Sequence, residues 1–190
     1  MNYKNLLSDY KIDFCSKCGS STNKIKINDD SIERDVCTVC NYIHYINPKI
    51  IVGSLAIKDN TILLCKRDIN PAKGMWTFPS GYMELGESLE DGARREALEE
   101  ANLKYEIIKL YGSYSIPRIG QVLFVYLGKI LNNDYRAAAE TSEIKIFKIN
   151  EIPWEEIAFP SVKFFLEKYV NDTKDNNFKF HSNFGENPSI

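Results

Sequence analysis

The hydrophobic pattern of this chain alternates between strand-like and helix-like segments. Runs rich in β-branched and aromatic residues predict strands at IIVGSLAIK, TILLCKR, YEIIKLYGSYSI, QVLFVYLGKI and IKIFKI. The turn Lys58-Asp59-Asn60 between the first two runs predicts a hairpin. Apolar residues at helical spacing in SVKFFLEKYV predict a terminal helix packed on the core. The polar segment 131–142 is predicted to be a loop, with a possible short helix at RAAAE.

A second helix is predicted between Ser88 and Asn102. The Ser88 hydroxyl can accept a hydrogen bond from the free amides of the first turn, and the Asp91 side chain can reach back to the start of the helix. Together they match the S-x-x-[DE] capping pattern. Asn102 tolerates the left-handed conformation that ends many helices. Small residues recur every four positions on one side of this helix, so its axis can approach a sheet closely: Ala93, Ala97 and Ala101.

The same helix carries a cluster of acidic residues. Glu96, Glu99 and Glu100 project from one arc, and Glu87 joins them from the preceding loop. Crowded carboxylates on a partly desolvated face repel one another unless a cation neutralises them, and oxygen ligands suit Mg²⁺ or Mn²⁺. The alternative for this stretch taken alone is an ordinary solvated Glu/Arg helix.

Four of the five cysteines form two pairs with the spacing C-x2-C-x18-C-x2-C: Cys15, Cys18, Cys37 and Cys40. This spacing is typical of a tetrahedral structural zinc site. Gly19 and Asn41 follow the two pairs and suit the left-handed turn of a zinc knuckle. Two disulfides or four buried thiols are the alternatives. His44 is expected to pack against this ribbon rather than bind zinc, and Cys65 is expected to be a small core residue.

Composition limits the partners and the domain count. The chain has 190 residues, 44% hydrophobic and 26% charged, with a net charge of −2, so no global attraction to nucleic acid or anionic membranes is expected. No apolar run is long enough to span a membrane, and residues 1–14 lack a secretory signal, which predicts a soluble cytoplasmic protein. The predicted organisation is a zinc ribbon at 1–46, a main domain at 47–170 and a polar, flexible tail at 171–190.

The acidic helix lies within a longer motif that resembles the signature of the Nudix hydrolases, G-x5-E-x7-R-E-U-x-E-E-x-G-U with U apolar. The final glycine is replaced by Asn102, and the other positions match: Gly81, Glu87, Arg95, Glu96, Ala97, Glu99, Glu100 and Leu103. The resemblance implies an α+β fold with a mixed sheet sandwiched between helices. The four-cysteine ribbon that precedes it is similar to the zinc-ribbon Nudix subfamily, whose plant members are FAD and ADP-ribose diphosphatases.

The resemblance also implies roles for individual residues. Glu96 and Glu100 are the expected Mg²⁺ or Mn²⁺ ligands, aided by a backbone carbonyl near Gly81, while Glu99 is a ligand or a proton acceptor. Glu87 and Arg95 are expected to pair and fix the loop against the helix. A later loop often supplies a further base, for which Glu143 is preferred over Glu140, although both are equally well explained as surface residues.

The substrate implied by the resemblance is an ADP-linked diphosphate, ADP-ribose or FAD. Arg67 and Arg118 are candidate phosphate contacts. Candidate aromatic rings for a base are Tyr114, Phe78 and Trp76. Nudix enzymes that hydrolyse ADP-ribose tend to carry a proline close to the place of Pro117 in this chain. Pro117 is equally well explained as a residue that ends a strand.

Two other functions remain open. NADH diphosphatases also join a four-cysteine ribbon to a Nudix domain, but they carry an SQPWPFP-like element where this chain has SYSIPRIGQV. A silent Nudix domain with a nucleic-acid-binding ribbon is the alternative of another class, although the basic residues of the ribbon are sparse. Nucleic acid is therefore not the expected partner, and a homodimer is left open.

Overall fold

The structure is a computed structural model and describes residues 11–28, 30–138 and 140–185. The chain divides into two compact units, Met1–Pro48 and Lys49–Ile190. In the described residues no helix is both long enough and apolar enough to cross a membrane.

The first unit is a small three-stranded antiparallel sheet in the order β1-β2-β3: β1 (Thr22–Lys26), β2 (Glu33–Cys37) and β3 (Ile43–His44). Gly19 and Asn41 adopt the predicted left-handed conformation, with φ of 74° and 55°. His44 is buried and contacts the Tyr42 ring edge-on, with 4.9 Å between ring centroids. The expectation that His44 packs within the ribbon is therefore confirmed.

The second unit is built on one mixed sheet of eight strands. Its main path runs β10-β5-β4-β9-β8-β11, with β6 beside β5 and β7 beside β4. The β4/β9 and β8/β11 pairs are parallel and the others are antiparallel. The strands are β4 (Lys49–Lys58), β5 (Thr61–Arg67), β6 (Trp76–Thr77), β7 (Ser80–Tyr82), β8 (Tyr105–Ile116), β9 (Gln121–Ile130), β10 (Thr141–Lys148) and β11 (His181–Phe184).

Two helices cover opposite faces of this sheet: α1 (Leu89–Ala101) and α2 (Pro160–Asp175). Side chains alternate along β4, so Val52 packs in the cluster that contains Ala93 of α1, whereas Leu55 packs in the cluster that contains Phe165 of α2. The alanine stripe of α1 is completely buried. The predicted α+β sandwich is confirmed.

The ends of α1 follow the predicted capping chemistry. The Asp91 amide donates to the Ser88 hydroxyl at 3.1 Å, and Asn102 ends the helix with a φ of 48°. After the helix, residues 131–138 form a loop as predicted, and no helix is present at the described residues of RAAAE. The Arg136 amide donates to the Ala101 carbonyl at 2.9 Å.

The prediction of a flexible tail from residue 171 onward is wrong for residues 171–185. Helix α2 continues to Asp175, and β11 then pairs in parallel with β8. The physical reason is a buried carboxylate: Asp172 accepts hydrogen bonds from the Tyr111 hydroxyl at 2.7 Å and from the His181 ring at 2.8 Å. These hydrogen bonds order a segment that is mostly polar. Its sequence therefore has no hydrophobic pattern from which a strand could be predicted. Residues 186–190 lie outside the described residues.

Candidate active site and zinc site

The guanidinium of Arg95 is the centre of the acidic cluster. It binds Glu87 in a bidentate manner, with Nε···Oε2 at 3.0 Å and Nη2···Oε1 at 2.9 Å. Its Nη1 donates to Glu96 at 2.7 Å and to Glu99 at 3.0 Å, and its Nη2 also donates to the Tyr82 carbonyl at 2.9 Å. One planar cation thus joins helix α1, the loop before it and strand β7.

The loop carboxylate of Glu87 is stabilised in its charged form. Hydrogen bonds from Arg95 and from the Glu84 amide, the latter 2.6 Å long, lower the pKa of Glu87 to about 2. Gly92 makes room for this carboxylate, because a β-carbon there would lie 2.7 Å from the Glu87 Oε1 atom. Gly92 was not singled out in the sequence, although a glycine in the first turns of a helix is a visible signal of close packing.

The carboxylate of Glu96 lies directly against Gly81. A β-carbon on Gly81 would collide with all three atoms of that carboxylate, so the helix and β7 approach each other only because residue 81 is glycine. The Glu96 side chain is 13% exposed, and burial raises its pKa despite the opposing effect of Arg95.

Glu100 is the most desolvated carboxylate of the cluster. Burial raises its pKa to about 8, with further contributions from the charges of Glu96 and Glu140, although the Ser80 amide donates to it at 3.2 Å. A half-buried carboxylate beside like charges and with few hydrogen-bond donors has the environment of a cation ligand. The hard oxygen donors of Glu96, Glu99 and Glu100 therefore fit a divalent cation such as Mg²⁺ or Mn²⁺.

The two later acidic residues considered from the sequence, Glu140 and Glu143, lie in different surroundings. The charge of Glu140 acts on both Glu96 and Glu100. Glu143 instead lies 3.9 Å from the Lys66 ammonium, with its side chain 52% exposed. A bulge in β10 between Thr141 and Glu143 changes the register there, and no sequence signal announced it.

The two candidate phosphate contacts lie in different places. Arg67 ends β5, and its charge acts on the Glu100 carboxyl. Arg118 is exposed in the 3-10 turn Pro117–Ile119 between β8 and β9.

The aromatic residues proposed for base stacking are core residues, so that prediction is wrong. Tyr114 is 6% exposed and packs against Phe164, with ring centroids 5.6 Å apart. Trp76 and Phe78 are also buried in the cluster on the α2 side. Alternation along a strand decides on which face of the sheet each aromatic ring lies. The sequence does not show whether one face or both faces of the sheet are buried.

The aromatic residue that the sequence reasoning missed is Tyr82. Tyr82 directly follows Gly81 in the chain, and 47% of its surface is exposed to solvent. Its ring is fixed by Gln121, whose amide donates to the hydroxyl at 2.8 Å, and by the Lys49 ammonium 5.2 Å from the ring centroid. Tyr82 therefore offers an ordered, accessible aromatic ring, and its backbone carbonyl accepts a hydrogen bond from Arg95 of the acidic cluster.

The four predicted cysteines converge at one point in the ribbon. Their sulfur atoms lie within 4.8 Å of one another, with Cys15 and Cys40 at 3.7 Å and Cys18 and Cys37 at 3.4 Å. A tetrahedral zinc ion with Zn–S bonds of about 2.3 Å needs sulfur atoms about 3.8 Å apart. No disulfide joins any of the cysteines in this structure, and these distances are those of a metal-ligand set and not of S–S bonds. The four sulfur atoms fit zinc, and zinc bound there closes the ribbon.

Comparisons with known proteins agree with this geometry. Residues 48–167 match the family described as NUDIX domain, and residues 13–46 match the zinc-ribbon family described as Nudix N-terminal. A crystal structure of a NUDIX hydrolase from Nitrosomonas europaea superposes with a TM-score of 0.89 at 41% sequence identity, covering 92% of this chain and 99% of that chain.

Two relatives carry more specific names. A Methanocaldococcus jannaschii protein named ADP-ribose pyrophosphatase is 34% identical over 116 residues, which are 59% of this chain and 69% of that protein. A Vibrio parahaemolyticus protein named NAD-capped RNA hydrolase NudC is 34% identical over 146 residues, which are 74% of this chain and 52% of that protein. This chain therefore spans only about half the length of the NudC relative. The domain match over residues 48–167 and the close structural match together show that this chain belongs to the Nudix hydrolase family.

Proposed function

We propose that this chain is a metal-dependent diphosphatase that cleaves an ADP-linked diphosphate, ADP-ribose or FAD, with Mg²⁺ or Mn²⁺. The products are AMP plus ribose 5-phosphate or FMN. The observation that carries the proposal is the single guanidinium of Arg95 that ties Glu87, Glu96 and Glu99 together. It orders a set of carboxylates beside Glu100 that suits divalent cations and does not suit a covalent nucleophile.

In this proposal Glu96 and Glu100 hold the cation, assisted by Glu99 and the carbonyl of Gly81. A divalent cation bound there neutralises charge on the diphosphate and lowers the pKa of the attacking water. Arg95 keeps the carboxylates in place while its own positive charge limits their mutual repulsion.

The proton of the attacking water goes to a carboxylate near the cluster. Glu99 is exposed on the outer side of α1 and Glu140 lies on the opposite loop, so these two residues are the candidates. The water oxygen forms a bond to one phosphorus atom as the bridging P–O bond breaks, and the second phosphate departs with its nucleoside or sugar.

Two features support an ADP-linked substrate. Tyr82 presents an accessible ring for a base, and Arg67 supplies a cation for the phosphate group. The archaeal relative named ADP-ribose pyrophosphatase supports the same choice.

A second candidate substrate is an NAD-type dinucleotide, either NADH or the capped end of an RNA. It is favoured by the NudC relative, whose alignment covers more of this chain than that of the archaeal relative. Against it, SYSIPRIGQV replaces the SQPWPFP-like element of the NADH diphosphatases.

The experiment that tests the proposal is a substrate panel with product identification. ADP-ribose, FAD, NADH, an NAD-capped RNA and 8-oxo-dGTP are compared by kcat/KM with Mg²⁺ and with Mn²⁺. We expect ADP-ribose or FAD to be preferred, with AMP as a product. A tenfold preference for NADH or the capped RNA would assign the second candidate.

The same panel with Glu100→Gln tests the metal site. We expect turnover to fall by at least about 100-fold with an unchanged fold, because the change removes a ligand charge without removing volume. A panel without turnover, combined with RNA affinity that weakens as salt rises, would instead support a silent domain with a nucleic-acid-binding ribbon.

The remaining assignments concern the setting of the enzyme. Zinc in the ribbon has a structural role, since four thiolates leave no open coordination position. A reducing compartment such as the cytoplasm suits four free thiols, so a cytoplasmic location remains our proposal. Homodimer formation stays a prediction, and light scattering tests it.

A further inference from the structure

The side chain of Arg67 is oriented by two neighbours that do not neutralise it. Its Nε donates to the Pro71 carbonyl at 2.8 Å, and its guanidinium lies over the Phe159 ring, 5.1 Å from the centroid. The adjacent carboxylate of Asp68 is paired with Lys73 at 3.0 Å. Within residues 11–28, 30–138 and 140–185, Arg67 takes part in no salt bridge.

The backbone around Arg67 is tied to the acidic side of the site. Arg67 is paired in register with Thr141, and the Asp68 amide donates to the Glu140 carbonyl at 2.9 Å. The charge of Arg67 also acts on the Glu100 carboxyl. These backbone contacts place the end of β5 that carries Arg67 next to Glu140, the loop residue whose charge acts on Glu96 and Glu100. In the proposed function the phosphate groups of a diphosphate substrate lie near these carboxylates.

Phe159 occupies a position that local helix chemistry does not favour for it. It is the N-cap of α2, with φ −138° and ψ 147°, and its side chain makes no capping hydrogen bond. Ser, Thr, Asp and Asn are preferred at this position, because their side chains can accept a hydrogen bond from the free amides of the first turn. A residue that breaks a local rule is expected where function requires it. Phe159 is nevertheless well placed, since the Ala158 amide donates to the Trp76 carbonyl at 2.9 Å.

We propose that Phe159 is a positioning residue that holds Arg67 for the diphosphate group of the substrate. The Phe159 ring covers one face of the guanidinium and the Pro71 carbonyl accepts from its Nε, so Nη1 and Nη2 are the donors assigned to phosphate oxygens. Loop 68–75 and the start of α2 thus orient the phosphate contact together. This inference rests on the proposed diphosphatase function.

The test compares Phe159→Leu with Phe159→Tyr in steady-state kinetics on ADP-ribose. Leucine retains apolar volume without a π face, so we expect KM to rise about three- to tenfold with kcat within about twofold of the wild type. Tyrosine retains the ring, so its KM is expected to stay within about twofold. Phe164→Leu is the matched control, because Phe164 is also a half-buried ring of α2 under a cation, Lys168 at 5.4 Å. We expect it to leave KM unchanged.

A double-mutant cycle with Arg67→Ala tests the coupling between the two residues. If Phe159 acts through Arg67, Phe159→Leu adds no further rise in KM once Arg67 is alanine. An equal rise in both backgrounds, or a Phe159→Tyr variant as impaired as Phe159→Leu, would overturn the proposal.

A binding measurement separates this proposal from the proposed function. Pyrophosphate binding is measured by calorimetry with Mg²⁺ for the wild type, Phe159→Leu and Arg67→Ala. Weaker binding by both variants supports the positioning role even if no ADP-linked substrate in the panel is hydrolysed. Unchanged pyrophosphate affinity in Phe159→Leu contradicts it even if ADP-ribose is the substrate.

Discussion

The carboxylate of Glu96 fills the space that a side chain on Gly81 would occupy. Strand β7 and helix α1 meet at this point, and the contact sets where Glu96 projects toward the expected cation. The glycine of the Nudix signature is therefore explained here by a close approach to a carboxylate and not by a left-handed backbone, since Gly81 is not among the residues with positive φ.

Gly81→Ala should displace Glu96 and reduce kcat/KM by about 100-fold, because one misplaced ligand weakens the cation site. The measurement is the Mg²⁺ dependence of turnover, which should shift to higher concentration. Gly185→Ala is the control, since a β-carbon there makes only ordinary contacts with Tyr114, the nearest at 3.4 Å. Wild-type Mg²⁺ dependence in Gly81→Ala would disprove this account of the contact.

Arg95→Lys should reduce kcat/KM by about ten- to 100-fold while preserving the net charge. A lysine cannot reproduce the bidentate pair with Glu87 together with the bonds to Glu96 and Glu99. Arg94→Lys is the control, because Arg94 is exposed and its contact with Asp91 is long, at 3.4 Å. If both variants behaved alike, charge alone would account for the role of Arg95.

Glu140→Gln should lower kcat more than Glu143→Gln, which should stay within about twofold of the wild type. The reason is that the charge of Glu140 acts on Glu96 and Glu100, whereas Glu143 lies beside Lys66 on the exposed side of β10. The two variants are compared at saturating substrate over a range of pH. A larger loss of kcat in Glu143→Gln than in Glu140→Gln would instead support Glu143, the residue that the sequence favoured.

Metal analysis should find about one zinc per chain in protein purified without chelator. Cys37→Ser should unfold the ribbon, because folding of so small a unit depends on metal-binding free energy. Amide exchange resolved by segment should show loss of protection in residues 11–46. A Cys65→Ser variant is the control for zinc content, since Cys65 lies in the core of the other unit.

Asp172→Asn should destabilise the protein by about 1–3 kcal/mol at neutral pH, because it weakens the buried bonds to Tyr111 and His181. Burial acts to raise the pKa of Asp172, but the bonds from His181 and Tyr111 outweigh it, so the pKa is lowered in the folded state. A lowered pKa stabilises the fold above the unfolded-state pKa of about 3.9, and that stability is lost as the pH falls through the folded-state pKa.

The difference in unfolding free energy between wild type and Asp172→Asn should therefore shrink as the pH is lowered below about 4. Denaturant titrations at neutral and acidic pH measure it. Asp175→Asn, at an exposed position near the end of α2, is the matched control and should show a much smaller difference at neutral pH. A difference that grew toward acid would contradict the stated direction.

The sequence alone determined the features that depend on local chemistry. Ser88 and Asn102 end α1 as predicted, because capping needs only residues close in the chain. The four cysteines converge as their spacing indicated, since each pair forms one knuckle. The period of the apolar residues likewise predicted the five long strands of the main sheet, β4, β5, β8, β9 and β10, and the core-facing helix α2.

Tertiary structure decided what depends on faces and register. Tyr114 and Tyr82 are both strand tyrosines, yet Tyr114 is buried against α2 and Tyr82 is accessible to solvent. The bulge in β10 sets the places of Glu140 and Glu143, and a single buried carboxylate, that of Asp172, orders the chain end into a strand. Each outcome depends on contacts between residues distant in the chain, which local sequence patterns do not encode.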